Sequence, residues 1–276
     1  MTGESNRPRA LVTGASSGLG EVFAEKLAKK GYNLIVTARR KDRLDALAES
    51  LELLGSTTTV IEADLATDAG VDLLVEPAAE VDLLVNNAGF GSVGEFAELP
   101  VDRELDELNV NVRALMKLCH VALGAMMERK RGSIINVAST AAFQPIPYNA
   151  TYSATKAFVL HFSEALHEEV KKHGVAVTCL CPGPVKTEFQ EVAGVNDGTV
   201  PDFMWTTAES VVDAALAALN VRRAYVVPGP MNAMTAFGVS LAPRFVTRKI
   251  AAAFFRDRAS QYSSPSPTFR AKLGLP

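Results

Sequence analysis

The stretch Ala10-Leu11-Val12-Thr13-Gly14-Ala15-Ser16-Ser17-Gly18-Leu19-Gly20 decides the fold. A short apolar run leads straight into a turn carrying three glycines, and residues 18–30 follow with helical periodicity, so the segment reads strand, glycine turn, helix. The glycines let the backbone turn tightly and approach a bound group, while free N–H groups and the positive end of the helix favour a pyrophosphate. The spacing is Gly-x3-Gly-x-Gly rather than the more familiar Gly-x-Gly-x2-Gly. Gly14, Ser16, Ser17, Gly18, Leu19 and Gly20 are therefore candidates for holding the phosphates of a dinucleotide.

The same alternation continues outward. Runs at 10–13, 34–38, 58–62, 83–86, 133–138, 175–181 and 224–228 predict seven strands, and stretches at 18–30, 41–54, 67–79, 101–130, 150–173 and 208–219 predict helices between them. Strand alternating with helix is the pattern of βαβ units. Because the strands are apolar on both faces, helices must cover both sides of a parallel sheet. The fold class is α/β, a doubly wound seven-stranded parallel sheet in a single domain over 1–257, with a tail at 258–276. Two regions break the pattern: a Gly/Pro-rich connection at 183–206, read as a substrate loop because connections that long are commonly binding loops, and one or two apolar helices at 230–256.

Composition narrows the class. A chain of 276 residues, 48% hydrophobic and 21% charged, can bury a large core and fold as a globular protein. A net charge of −3 lacks the basic footprint that nucleic acid needs, so no such partner is expected. Cys119, Cys179 and Cys181 are odd in number and lie in apolar runs, which suits reduced, buried thiols. Cys179 and Cys181 are expected on opposite sides of their strand, arguing against a shared metal site. His120, His161, His167 and His173 lack metal-ligand spacing, so no metal is expected. The polar N-terminus and the absence of a long apolar run point to the cytoplasm.

The second strand ends Thr37-Ala38-Arg39-Arg40, where the adenosine ribose of a dinucleotide should lie. An acid there would bind the ribose 2′-hydroxyl, and none is present. Arg39, with Arg40 beside it, suits a 2′-phosphate, so NADP(H) is favoured over NAD(H). Asp64, followed by Leu65 at the end of the third strand, is placed to accept a hydrogen bond from the adenine, although an acid there also serves as a helix cap.

Tyr152 and Lys156 are four residues apart in Tyr152-Ser153-Ala154-Thr155-Lys156, hence on one face of a helix. An ammonium so placed lowers a phenol pKa from about 10 toward the range of a general acid. Together with this pair, Thr13-Gly14-x3-Gly18-x-Gly20, Asn86-Asn87-Ala88-Gly89, Asn111 within Asn109-Val110-Asn111, Ser139 after 134–138, and Pro182-Gly183-Pro184-Val185-Lys186-Thr187 stand in one order along the chain. This set resembles the short-chain dehydrogenase/reductases, in their single-domain branch, from Thr13 to Thr187. The resemblance implies a Rossmann fold and a role for each residue. Ser139 would hydrogen-bond a substrate carbonyl, and Tyr152 would donate a proton to its oxygen as hydride arrives from the nicotinamide. Lys156 would lower the tyrosine pKa and hold the nicotinamide ribose, and Asn111, with Asn109 as the competing choice, would anchor a water linking Lys156 to solvent. Asn87 and Gly89, with Ala88 between them, would wall the adenosine ribose, and Pro182, Gly183, Val185 and Thr187 would frame the nicotinamide.

Around the substrate side the motifs place mostly apolar residues: Phe90, Phe143, Ile146, Tyr148, Phe189, Val192, Phe203, Met204 and Trp205. A polar sugar would want more hydrogen-bonding groups, so the expected substrate is a hydrophobic ketone or aldehyde, such as a 3-oxoacyl or other lipid-like carbonyl. The 230–256 segment, with Arg244, Arg248, Lys249 and Arg256 beside its apolar residues, suits a subunit interface, core packing or peripheral membrane contact. A homodimer or homotetramer is expected. Two other readings share the sequence: an NAD-dependent alcohol dehydrogenase and a non-catalytic dinucleotide-binding sensor.

Overall fold

Seven parallel strands form one sheet in the order β3-β2-β1-β4-β5-β6-β7. They are β1 (Arg9–Thr13), β2 (Asn33–Ala38), β3 (Thr58–Glu62), β4 (Leu83–Asn86), β5 (Gly132–Val137), β6 (Val175–Leu180) and β7 (Tyr225–Val226). The computed structural model describes residues 7–186 and 204–262. Register follows the alternation of side chains across the pleat, with Leu11 opposite both Ile35 and Leu84, and Val12 opposite Val36 and Val85. Leu11, Ile35, Leu84, Ile134 and Val177 face one buried layer, while Val12, Val36, Val85, Ile135 and Leu180 face the other. Each fully buried Leu, Ile or Val contributes about 1.5–3 kcal/mol, so both faces have to be covered.

Helices α1 (Gly18–Lys29), α2 (Lys41–Leu53) and α8 (Ala208–Asn220) cover one face. Helices α3 (Asp68–Asp72), α4 (Val75–Glu80), α6 (Leu115–Arg129) and α7 (Ala150–Val170) cover the other. The sheet order reverses between β1 and β4, the switch point at whose strand ends doubly wound folds bind ligands.

Several element boundaries can be set against the expected ones. The helix expected at 67–79 is split into α3 and α4, because Pro77 has no N–H to continue a helix and is tolerated only in a first turn. The helix expected at 101–130 is α5 (Val101–Leu108), a π-helical turn at Asn109–Ala114, and α6. The 230–256 segment is two helices, α9 (Pro230–Leu241) and α10 (Arg244–Tyr262), broken at Ala242 and Pro243. Helix α10 thereby takes in 258–262 of the expected tail, and 263–276 lie outside the described residues.

Strand β6 stops at Leu180, one residue before the expected end. Cys179 and Cys181, expected on opposite sides, in fact share one side, as positions two apart along an extended chain do. Both belong to the same core layer, and their sulfurs are 3.8 Å apart, buried and free. The continuous stretch Val101–Arg129 is long and apolar enough to cross a membrane by length and composition alone. Its residues Leu115, Leu118, Ala122, Leu123 and Met126 instead pack into the core beneath the sheet.

Candidate active site

The glycine turn is built by close approach. Gly14 has φ +66°, and a Cβ there would stand 2.8 Å from the Ala88 Cα; a Cβ on Gly20 would stand 2.2 Å from the Gly14 carbonyl oxygen. Neither position accepts a side chain without moving backbone. Asn87 fastens the turn to the end of β4: its Nδ2 donates to the carbonyls of Thr13 (2.9 Å) and Gly14 (3.2 Å). The buried Thr13 hydroxyl oxygen accepts from the backbone N–H groups of Asn87 and Ala88, both at 3.0 Å. Asn87 and Ala88 thus hold the floor of the loop in this structure, and Leu19 packs beneath it.

Ser17 precedes α1 with extended backbone and makes no side-chain cap. Its hydroxyl instead accepts from Arg40 Nη2 (2.9 Å), and Ser16 Oγ accepts from the same nitrogen (3.1 Å) and from Arg40 Nε (3.3 Å). An exposed guanidinium is therefore held against two hydroxyls at the helix N-terminus, a donor set matched to a phosphate. Arg39 lines a different space, a cavity of about 430 Å³ shared with Asp64, Thr67 and Gly70. The Asp64 carboxylate accepts from Ala66 N–H (3.0 Å), so it shapes the turn before α3 while remaining exposed at the cavity. Leu65, the next residue, buries its side chain in the core and is not among the side chains lining the cavity. The glycine cradle, the Arg40 site and the cavity together fit the phosphates and adenosine of a dinucleotide.

Beyond the switch point, α7 carries Tyr152 and Lys156 toward the ends of β5 and β6. Tyr152 is half-buried and hydrogen-bonded with Ser139. The Ser139 hydroxyl oxygen also accepts from Ala141 N–H (3.1 Å), which fixes its rotamer at the start of a short 3-10 turn, Thr140–Phe143. Lys156 is buried, and its ammonium donates to the Val137 carbonyl (2.9 Å) and lies 5.6 Å from the Tyr152 ring centre. Burial lowers its pKa to about 8, against the raising influence of Cys179, Glu107 and Cys181.

The expected lowering of the Tyr152 pKa is overturned. Burial pushes the phenol well above 10, the charge of Glu107 adds to that, and only the Ser139 hydrogen bond works against it. The lysine is spent on the Val137 carbonyl rather than on the phenol oxygen.

Of the two asparagines, Asn111 is the one embedded in this site. It is buried in the π turn, donating to the Phe90 carbonyl (2.9 Å) and to Thr155 Oγ1 (3.1 Å) and accepting from Phe90 N–H (3.1 Å). Single π turns inside α-helices recur at functional sites. Gly89 leaves the room: a Cβ there would stand 2.9 Å from Asn111 Oδ1 and 3.2 Å from Lys156 Nζ. Gly91 likewise makes space for the Tyr152 ring, 2.8 Å from where its Cβ would be.

Pro182 and Val185 are buried, and the Pro182 carbonyl accepts from Thr140 N–H (2.8 Å). Val185 bridges Thr206, whose N–H donates to the Pro184 carbonyl (3.0 Å), so the two ends of the 183–206 connection are clamped together. Thr187, Phe189, Val192 and Phe203 lie outside the described residues. Phe143 packs toward Tyr225, ring centres 6.1 Å apart, and Ile146 is buried, while Phe90, Tyr148, Met204 and Trp205 stay half-exposed.

Three contributors were absent from the sequence reading. Asn232 of α9 is buried against Gly183, where any Cβ would stand 2.4 Å from its Nδ2, and it donates to the carbonyl of Met204 (3.2 Å). Glu104 and Glu107 of α5 are both buried. Ser92 Oγ meets Glu104 Oε1 and, at 2.9 Å, Glu107 Oε2; the Thr151 hydroxyl donates to Glu104 Oε2. The spacing 104, 107, 111 was the available signal, since it lies on the same helix face as Asn111.

A family model described as short chain dehydrogenase matches residues 8–197. The very-long-chain 3-oxoacyl-CoA reductase of Mus musculus is 31% identical over 263 residues, covering 92% of this chain and 81% of the mouse protein. Among solved structures, a short-chain dehydrogenase from Sphingobium yanoikuyae in complex with NADPH is 30% identical at a TM-score of 0.77, covering 86% of this chain and 97% of its own. The bulky-bulky ketone specific alcohol dehydrogenase from Comamonas testosteroni is 29% identical at 0.73, covering 87% and 96%. With a parallel Rossmann-type sheet, a glycine cradle at its switch point and this match over most of its length, the chain belongs to the short-chain dehydrogenase family.

Proposed function

We propose that this oxidoreductase reduces a hydrophobic ketone or aldehyde, of the 3-oxoacyl class, with NADPH. The observation that carries the reading is Tyr152 held between a hydrogen bond to Ser139 and the buried ammonium of Lys156. A phenol kept protonated by burial is an acid, suited to giving a proton rather than taking one. The nicotinamide, when bound, supplies the hydride. Ser139 donates a hydrogen bond to the carbonyl oxygen and Tyr152 delivers its proton there. Lys156, near 8, is charged at neutral pH and returns a proton to the phenolate. Asn111 keeps the π turn against Phe90 and Thr155, which sets the distance between α5 and α7.

NADPH is preferred in this reading because Arg40, rather than an acid, follows β2 and meets Ser16 and Ser17. A bulky apolar substrate is supported by the half-exposed Phe90, Tyr148, Met204 and Trp205 and by the substrates for which the mouse and Comamonas relatives are named. Leu105, Leu108 and Met116, exposed on α5 and α6, form the face we assign to a second subunit. Sedimentation as a monomer at every concentration refutes that assignment. Met234, Phe237 and Leu241 of α9, exposed beside Arg244 and Arg248, form the face we assign to peripheral membrane contact.

Tyr152→Phe tests the central claim. Ketone-dependent NADPH oxidation across a series of chain lengths should vanish while NADPH binding persists. Undiminished turnover refutes the mechanism.

A further inference from the structure

We propose that Glu107 is the proton reservoir of this site, a buried carboxylic acid that refills Lys156 after Lys156 has refilled Tyr152. The inference rests on the carbonyl-reductase reading and concerns where its proton comes from. It starts from helix α5, which is inside out: Leu105 and Leu108 are 51% and 42% exposed, whereas Glu104 and Glu107 are 4% and 0%. Burying two carboxyl groups side by side is costly unless one of them is neutral.

Counting hydrogens shows which one. Ser92 has a single hydroxyl proton, yet its Oγ sits within hydrogen-bond distance of Glu104 Oε1 and Glu107 Oε2. It can donate to only one of them. The other contact needs a proton from the acid. Glu104 has a partner on each oxygen, Ser92 on one and Thr151 on the other, so both of its lone-pair sets are satisfied. Among the described residues Glu107 Oε1 has no hydrogen-bond partner, which a neutral carboxyl tolerates better than a charged one. Glu107 Oε2 is therefore the donor to Ser92 Oγ, and Glu107 carries the proton.

The charged and titratable groups that act on Glu107 are Glu104 and Arg103 on its own helix and, from α7, Lys156 and Tyr152. Burial raises Glu107 to about 7 and lowers Lys156 to about 8. Glu107 stands one helical turn before Asn111. Asn111 Oδ1 and Lys156 Nζ border one point, 2.9 and 3.2 Å from where a Gly89 Cβ would be. Proton affinities only about tenfold apart leave no large uphill step between Glu107 and Lys156.

Each turnover balances. The Tyr152 O–H bond breaks as the product O–H forms; an N–H of Lys156 breaks to restore the phenol; the Glu107 O–H breaks to restore the ammonium. One proton from bulk water returns Glu107 to the acid. The net uptake is the single proton that reduction of a carbonyl by hydride requires.

The test compares wild type, Glu107→Gln and Glu107→Asp as holoenzymes with NADPH. In wild type kcat for reduction should fall as pH rises past about 7. Glu107→Gln should lose that limb, show at least a tenfold lower kcat with a larger solvent deuterium isotope effect, and bind NADPH normally; Glu107→Asp should restore the limb. A limb unmoved in Glu107→Gln, or an equal loss at all pH values that Asp does not rescue, overturns the proposal. Infrared difference titration of the wild-type chain alone reads the same proton directly, and no protonated-carboxyl band titrating near 7 overturns it even if Glu107→Gln does not fold. Failure here with Tyr152→Phe still inactive removes only the reservoir; an active Tyr152→Phe removes the reductase reading itself.

Discussion

Replacing Lys156 by Met should abolish turnover and change how stability depends on pH. The ammonium is 4% exposed and its pKa falls from 10.5 to about 8 on folding. At about 1.4 kcal/mol per pH unit, the fold carries a cost of about 3 kcal/mol for keeping it charged. A depressed lysine pKa means the folded chain binds fewer protons than the unfolded chain between pH 8 and 10.5. Stability therefore rises with pH across that window, the cost being present in full below 8 and gone above 10.5. Methionine keeps most of the stem's packing and removes the charge, but it leaves the Val137 carbonyl without the donor now at 2.9 Å, a loss of about 1–3 kcal/mol. At pH 7 the variant should be more stable than wild type by about 0–2 kcal/mol. The change with pH is the sharper quantity, because the carbonyl penalty cancels from it. Urea denaturation at pH 7 and pH 10 should show the difference between the two proteins moving by about 2–3 kcal/mol in favour of wild type. A difference that stays constant would refute the claim that this ammonium is held at a cost.

Three further outcomes follow from particular contacts. Arg40→Ala should weaken NADPH binding about 10- to 100-fold by titration and leave NADH nearly unchanged, since one charge-assisted contact is worth about 1.5–3 kcal/mol; equal weakening of both would sink the cofactor reading. Gly89→Ala should cost about 1–3 kcal/mol in denaturant unfolding and lower kcat more than it raises KM, because its methyl meets Asn111 and Lys156; wild-type stability and kcat would show that the site gives way freely. In flotation with vesicles rich in anionic lipid, wild type should rise with the lipid and the double variant Met234→Glu, Phe237→Glu should stay behind, both side chains being exposed on α9. Equal behaviour of the two refutes membrane contact through this face.

The strands were legible because most are short, largely apolar runs, as a sheet covered on both faces requires. Buried polar residues within them are few, and two of these, Asn86 and Asn136, are hydrogen-bonded to one another. The sheet found has the seven strands expected, all parallel. Helix existence was equally legible, whereas helix continuity was not. The π turn at Asn109–Ala114 went unmarked because its sequence, NVNVRA, holds no Gly or Pro to signal a break in a helix. Pro77 could have been read as a break, being too deep in 67–79 for a single helix. The Cys179 and Cys181 expectation failed because side chains alternate with a period of two, so residues two apart share a face, and only Leu180 between them points the other way.

The site divides along a physical line. Residues whose role depends on local geometry were visible: the glycines that must avoid a Cβ, and the Tyr152/Lys156 pair one helical turn apart. What depends on burial was not, because burial is set by partners far along the chain. Asp102, Glu104, Asp106 and Glu107 read as the solvated side of an acidic helix, with Leu105 and Leu108 as its core. The reverse is true: α5 turns Glu104 and Glu107 toward Ser92 and α7 and leaves both leucines exposed. The same absence of burial information misjudged the phenol. Spacing alone brings an ammonium near Tyr152 and predicts a lower pKa, but spacing carries no term for desolvation, and desolvation outweighs it. The phenol thereby stays protonated at working pH while becoming a weaker acid. A phenol held protonated needs a donor to refill it, and the residue best equipped to do so is the glutamate that the helix pattern assigns to water.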